Sequence, residues 1–219
     1  MFMPYSLSPS TLSIYNECYR CFWLLKNKNI KRPSGPFPSL GSKIDILIKE
    51  QFDKYREKGE QPRDISNIKG HSLYENIDNL NLWRNWRKGL IWKDDKENIL
   101  RGAIDDLLVK DEKLVVLDYK TRGYELKDDS TKYYQHQMDI YNFLLRKEGF
   151  ETEDYAYLLF YIPTKLNDES LIQKKIPVKM NVSVENAENL FNEAIKTLSG
   201  EIPDKNEGCN YCKWNDMKS

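Results

Sequence analysis

Two acids and a lysine stand where they could do chemistry together. Asp105 closes the run Gly102-Ala103-Ile104-Asp105, and Asp118 and Lys120 lie in Asp118-Tyr119-Lys120-Thr121. Two β-rich runs, Leu100 to Val109 and Leu114 to Lys120, flank the polar stretch 110–113, a pattern that reads as a hairpin. With the turn centred between Asp111 and Glu112, Asp105 faces Asp118 and Ala103 faces Lys120. Because strand side chains alternate, both acids and the lysine share a face with Leu107, Val109, Leu114 and Val116. Opposed strand positions set Cβ atoms about 5 Å apart, where like charges repel by roughly 3 kcal/mol at an effective dielectric of about 20. A cation must offset this, or one acid stays protonated. Lys120 is one candidate, and a hard divalent ion, which prefers oxygen ligands, is the other. The competing reading is an ordinary Asp105–Lys120 ion pair at a sheet edge with Asp118 solvated.

Other polar residues fall at suggestive spacings. Gln137 and Tyr141 are four apart and project from one face of a helix that follows the hairpin. Asp45 interrupts the apolar face of an earlier helix between Ile44 and Ile48, as a residue at the buried edge or as a ligand. Four cysteines form two C-x-x-C pairs, Cys18 with Cys21 and Cys209 with Cys212, separated by 187 residues. Together they could supply four thiolates to a tetrahedral Zn²⁺ or to a [4Fe–4S] cluster, which would clip the two ends of the chain together. With only two histidines, His71 and His136, metal chemistry must rest on carboxylates and thiolates.

These residues need elements to hold them. Apolar residues at helical spacing predict one helix from Leu12 to Leu25, with Ser8 or Ser10 as its N-cap, and a second from Ser39 to Lys58. Residues 63–96, which include Trp83, Trp86 and Trp92, read as an irregular or helical insertion on the core. After the hairpin come a helix from Ser130 to Glu148, a buried strand from Tyr155 to Ile162, a weaker strand from Ile172 to Val178, and a helix from Ser183 to Leu198. The order predicts a single α/β domain over residues 1–219.

Composition sets outer bounds. At 219 residues with 40% hydrophobic content the chain can bury a full core. No run approaches the roughly 18 apolar residues of a membrane span, and the N-terminal residues lack a signal-peptide pattern, so a cytoplasmic protein without membrane contact is expected. A reducing compartment then argues against two structural disulfides.

The short motifs collectively resemble the PD-(D/E)XK nuclease superfamily, specifically its RecB-like branch, which includes CRISPR-adaptation nucleases with cysteine clusters. Gly102-x-x-Asp105, Asp118-x-Lys120 and Gln137-x-x-x-Tyr141 occur in the family's order, and Leu7-Ser8-Pro9-Ser10 and Cys18-Tyr19-Arg20-Cys21 resemble that branch's opening. The resemblance implies a restriction-endonuclease-like core, a mixed β-sheet flanked by helices, and divalent-metal-dependent cleavage of DNA at ends or in single strands. It casts Asp105 and Asp118 as ligands of Mg²⁺ or Mn²⁺, Lys120 as the residue that orients or deprotonates the attacking water, and Gln137 and Tyr141 as support or backbone contacts. Asp45 falls where the branch usually has a histidine, and is carried over as a third metal ligand. The related nucleases divide their cysteines one and three around an iron–sulfur cluster. Here the division is two and two, so iron–sulfur is the expectation and zinc the competitor, with Met217 near where a last cysteine would fall. DNA repair, recombination or CRISPR adaptation, with protein partners there, would be the setting. The alternative is an inactive DNA-binding or scaffold protein that keeps the fold.

Net charge is zero, with 34 Lys+Arg and 34 Asp+Glu, which excludes indiscriminate coating of nucleic acid. The charge is uneven: residues 1–43 carry Arg20, Lys26, Lys28, Lys31, Arg32 and Lys43 against Glu17 alone. The first five are the expected DNA-backbone contacts.

Overall fold

A computed structural model of the chain describes residues 4–33, 35 and 39–216, with side chains up to residue 213. The N-terminal strand β1 (Ser6–Leu7) leads into α1 (Pro9–Glu17), whose N-cap Ser8 accepts from the Thr11 amide in a capping box. The single helix expected over 12–25 is broken at Cys18, whose extended backbone ends α1 and starts α2 (Tyr19–Lys28). Helical periodicity survives such a break because both helices bury residues of the same register; the break surfaces only in the backbone at one residue. Next, α3 (Ser39–Glu57) runs as the pattern predicts and stops before Gly59, which adopts positive φ.

Residues 63–96 form more than a peripheral helical segment. They fold into a 3-10 turn, strand β2 (Ser72–Leu73), helix α4 (Ile77–Arg84) and strand β3 (Leu90–Lys93), and they bury Ile65, Leu80, Trp83 and Leu90. The run from Leu100 to Val109 is likewise not one strand. It divides into β4 (Ile99–Gly102) and β5 (Asp106–Lys110), and the two join different sheets. Gly102 lies at the division, where an added Cβ would meet Leu144 at 2.9 Å and the Tyr141 ring at 3.0 Å. The close approach of a later helix thus dictates glycine there.

The hairpin register is the expected one: Asp106 pairs with Leu117 and Lys110 with Lys113 across β5 and β6 (Lys113–Thr121). Asp111 and Glu112 both take positive φ, as the two central residues of a type I′ turn require, although neither is the preferred Asn or Gly. From β6 the chain passes through a second 3-10 turn at 132–134 into α5 (Gln135–Lys147), which begins five residues later than the pattern suggested. Strands β7 (Tyr155–Leu166) and β8 (Leu171–Asn181) form a long antiparallel hairpin, followed by α6 (Val184–Ser199), capped by Ser183, and α7 (Asn210–Asp216).

Two sheets result. One has three strands in the order β1-β4-β3, and the other has five in the order β2-β5-β6-β7-β8, mixed because β6 and β7 run parallel around α5. Helix α5 buries eight consecutive residues, Met138 to Leu145, between α6, α1 and strands of both sheets. The opposite face of the larger sheet packs against α3 through Ile48, Phe52, Leu108, Val115, Leu117 and Tyr119. This is a mixed α/β arrangement of sheets flanked by helices, as expected. Among the described residues no helix is long and apolar enough to cross a membrane.

Candidate active site and cysteine centre

The break between β4 and β5 puts Asp105 at the mouth of the larger sheet, beside the C-terminal half of β6. Asp105 Oδ2 accepts from the Tyr119 amide at 3.0 Å, and its own carbonyl accepts from Arg84 Nε at 2.8 Å. Both its backbone and its carboxylate are therefore held. Asp118, 1% exposed, points to the α5 side of the sheet and forms an ion pair with Lys120 through Oδ2. Among the described residues the Lys120 ammonium is the partner of this buried oxygen. Lys120 Nζ also donates to Gln137 Oε1 at 3.1 Å, and Gln137 Nε2 donates to the Tyr141 hydroxyl at 2.8 Å and reaches Asp118 Oδ1 at 3.4 Å. The Tyr134 ring lies 4.7 Å from the Lys120 ammonium. Burial raises the Asp118 carboxyl to about 7, with Lys120 pulling it down and Asp105 pushing it up.

Asp45 reaches the same site through an intermediary. Lys49, one turn along α3, donates to Asp45 Oδ2 and to Asp105 Oδ1, each at 2.7 Å. Burial costs its ammonium, but the two carboxylates more than offset this and hold its pKa above the ordinary value. Six of the sequence-derived site residues thus converge: Asp45, Asp105, Asp118, Lys120, Gln137 and Tyr141. Lys49 joins them unforeseen. Its only sequence signal is the i, i+4 spacing from Asp45.

A second missed group lies on the far face of the same strands. Asp106, fully buried, accepts from Arg56 at 2.5 Å, from Arg84 at 3.1 Å and from the Tyr119 hydroxyl at 2.7 Å, and Asp53 bridges the two arginines. This network ties α3 and α4 to β5, and through Arg84 it also grips Asp105.

The five basic residues assigned to DNA are divided in use. Arg20 donates to the Pro203 carbonyl at 2.8 Å, Lys26 to the Ser6 carbonyl at 2.6 Å, and Arg32 pairs with Glu17 and covers the Tyr211 ring at 4.4 Å. Arg20 and the Arg32–Tyr211 contact join the N-terminal segment to the C-terminal part of the chain, while Lys26 ties α2 to β1 within it. Lys28 and Lys31 are exposed.

The cysteines come together from both ends of the chain. Cys18 occupies the N-cap of α2 with Cys21 in its first turn, and Cys209 immediately precedes α7 with Cys212 in its first turn. All four are buried, and their sulfurs lie within 4.8 Å of one another, with Cys18–Cys212 at 3.6 Å, Cys21–Cys209 at 3.7 Å and Cys21–Cys212 at 3.9 Å. Burial pushes the Cys21 thiol up to about 12, against the pull of Arg32 and with the push of Cys18 and Cys209. At Cys209 burial is outweighed by the backbone N–H groups of Cys212 and Tyr211, which bring it down to about 7. Four buried thiols at this spacing form a donor set for a thiophilic metal. Met217 lies outside the described residues.

Comparisons with known proteins bear on the fold and the family. No curated protein matches the chain. A solved structure from Eubacterium rectale, described as a candidate exonuclease, superposes with a TM-score of 0.50 at 16% identity, covering 96% of this chain and 88% of that one. A second, named SSO0001, gives a TM-score of 0.48 at 14% identity over 99% of this chain and 87% of that one. The family model of the PD-(D/E)XK nuclease superfamily matches residues 83–217, the stretch that contributes Asp105, Asp118, Lys120, Gln137 and Tyr141, and the chain belongs to that superfamily.

Proposed function

We propose that the protein is a divalent-metal-dependent DNA nuclease, acting on ends or single strands, whose centre is built from Asp105, Asp118 and Lys120. The observation that carries this reading is the convergence of two carboxylates, the buried Asp118 and the backbone-held Asp105, with Lys120 paired to Asp118. A buried carboxylate costs stability unless a cation serves it or it keeps its proton; Lys120 meets that need only in part, since burial still holds the Asp118 carboxyl up at about 7. Its oxygen donors suit Mg²⁺ or Mn²⁺. Asp105 and Asp118 would hold the ion, with Asp45 as a third oxygen donor. A divalent ion bound there lowers the pKa of water and neutralises charge on the phosphoryl group. Lys120, fixed between Asp118 and Gln137, orients the attacking water. Gln137 and Tyr141 hold Lys120 and Asp118 in place and face the DNA backbone.

The test is cleavage of labelled single-stranded and blunt-ended DNA in Mg²⁺ and in Mn²⁺ by the wild type, Asp105→Ala and Lys120→Ala. Cleavage that falls by at least about a hundredfold in both variants supports the assignment; cleavage unchanged in folded variants refutes it. A second reading, a DNA-binding protein without catalysis, draws on Lys49, whose ammonium already sits between Asp45 and Asp105. DNA binding with no cleavage in either metal would favour it.

For the cysteines, the spacing supports a single tetrahedral Zn²⁺ over the iron–sulfur cluster that the resemblance implies. Four thiolates on one zinc at about 2.3 Å have sulfurs about 3.8 Å apart, close to the observed 3.6–3.9 Å pairs. In a four-iron cluster each cysteine binds a different iron, which spreads the sulfurs well beyond this. The RecB-like branch, a cytoplasmic setting, and a place with protein partners in repair, recombination or CRISPR adaptation complete the reading.

A further inference from the structure

Next to Gln137 and Tyr141 a groove of about 420 Å³ opens to solvent, lined also by Ser10, Trp86, Arg101 and Gly102. Its size falls in the range of pockets for nucleotide-sized ligands, roughly 300–1,000 Å³. Three features of its walls are unusual for a surface with no ligand. Trp86 is 68% exposed, although it lies on the link between α4 and β3, whose Trp83 and Trp92 neighbours pack inward. The Arg87 guanidinium stacks 4.8 Å from the Trp86 ring centroid, so the indole is held as a platform. Arg101 is anchored by one nitrogen to the Arg87 carbonyl at 2.7 Å, and its Nε is buried without a hydrogen-bond partner. Gln137 lines the same groove, and its amide reaches Asp118 Oδ1 at 3.4 Å.

We infer that this groove is the seat of an unpaired nucleotide of the DNA strand, with its base stacked on Trp86 and its phosphate on Arg101, adjoining the phosphate presented to Asp105 and Asp118. The inference rests on the nuclease reading above for the identity of the neighbouring site, and it specifies the substrate as single-stranded. Stacking needs a free base face; in a duplex the neighbouring pairs already cover both faces, so a single strand gains from Trp86 and a blunt duplex does not. An arginine fork supplies the charge that a tracked backbone needs. Gly102 contributes by omission, since any side chain would collide with the Tyr141 ring at the groove floor.

The test is equilibrium binding of a fluorescent oligo-dT strand and of a blunt duplex of equal length, in buffer free of Mg²⁺, Mn²⁺ and chelator, so that nothing is cut and the cysteine centre keeps its metal. It compares the wild type with Trp86→Ala, Trp86→Phe and Arg101→Gln. Trp86→Ala is expected to weaken single-strand binding on the order of ten- to a hundredfold, while duplex binding changes little and Trp86→Phe keeps most of the affinity. Arg101→Gln should reduce the steepness of the log–log salt dependence by about 0.7, the value of one phosphate contact on a single strand. Trp86→Ala binding the single strand as wild type does, or losing single strand and duplex equally, overturns the inference. Wild-type cleavage in Mn²⁺ is scored in parallel: cleavage with Trp86-independent binding sinks the groove alone, and Trp86-dependent binding without cleavage sinks only the nuclease reading.

Discussion

Lys49 Nζ lies 2.7 Å from Asp105 Oδ1, so a cation from α3 leans on the carboxylate at the mouth of the sheet. The same ammonium holds Asp45 at 2.7 Å. Two carboxylates that could serve a divalent ion are therefore shared with a fixed positive charge. At about 4 Å and an effective dielectric of about 20, unit charges interact by about 4 kcal/mol, and solvent around this partly exposed pair reduces that figure. Lys49→Met should therefore lower the Mn²⁺ dissociation constant by at least about tenfold, a change of 1.4 kcal/mol or more. Calorimetric titration with Mn²⁺ alone measures it. An unchanged constant would mean that Lys49 does not compete for these carboxylates.

Asp118 carries a pH dependence of definite sign. Burial raises its folded pKa to about 7, with Lys120 opposing and Asp105 adding, while the unfolded chain ionises near 3.9. In the metal-free protein its contribution to stability is full below about pH 4 and is lost as pH rises through about 7. A divalent ion takes only the carboxylate, so its affinity should climb by nearly tenfold per unit up to about pH 7 and level off above. Mn²⁺ titrations between pH 5.5 and 8.5 would show the bend, and Asp118→Asn should remove it. A flat profile in the wild type would contradict the buried, protonated Asp118.

Asp106 is the structural counterpart of its neighbour Asp105. Fully buried, it satisfies Arg56, Arg84 and the Tyr119 hydroxyl at once. Asp106→Ala would leave Arg56 and Arg84 sharing Asp53 alone and the Tyr119 hydroxyl without its acceptor, a loss of about 3–5 kcal/mol. For a chain of this length that lowers Tm by about 6–20 °C. Thermal unfolding followed by circular dichroism checks it, and a shift under 2 °C would show that the arginines relax to water.

The hairpin could be read in advance because two apolar runs flank one short polar stretch, whose position fixes the register although both faces of the strands are buried. The division after Gly102 could not. Leu100 and Leu107 are both apolar and buried, so the pattern runs on while the strand does not, and the reason lies in Tyr141 and Leu144, some forty residues away. The same limit hid Lys49 and Asp106. A buried ion pair is a relation between distant residues, and a lone Lys or Asp in an amphipathic stretch looks like a solvated one. The site acids, by contrast, were visible because the short motifs lie on elements that periodicity already locates. Of the basic segment 20–32, charge alone was legible; that Arg20, Lys26 and Arg32 hold internal partners depends on Pro203, Ser6 and Glu17.

The cysteine centre offers the last test, and it separates two metals with one sample. Thiols whose sulfurs lie 3.6–3.9 Å apart cannot all ionise without a cation among them; burial, with a smaller push from Cys18 and Cys209, already holds the Cys21 thiol up at about 12. A structural zinc removes that conflict and joins α2 to the C-terminal segment, which otherwise meets the body of the chain through a few contacts such as Arg20 to Pro203. Protein purified without oxygen should be colourless and hold one equivalent of zinc by elemental analysis. A brown sample with a broad absorption band at the visible edge and iron in place of zinc would overturn the zinc reading. Because metal binding is coupled to folding, Cys212→Ser should release the zinc and lower Tm, and the difference from wild type should shrink at low pH, where protons displace zinc from the wild-type thiolates as well. If Cys212→Ser keeps both its zinc and its Tm, the four sulfurs do not form one centre.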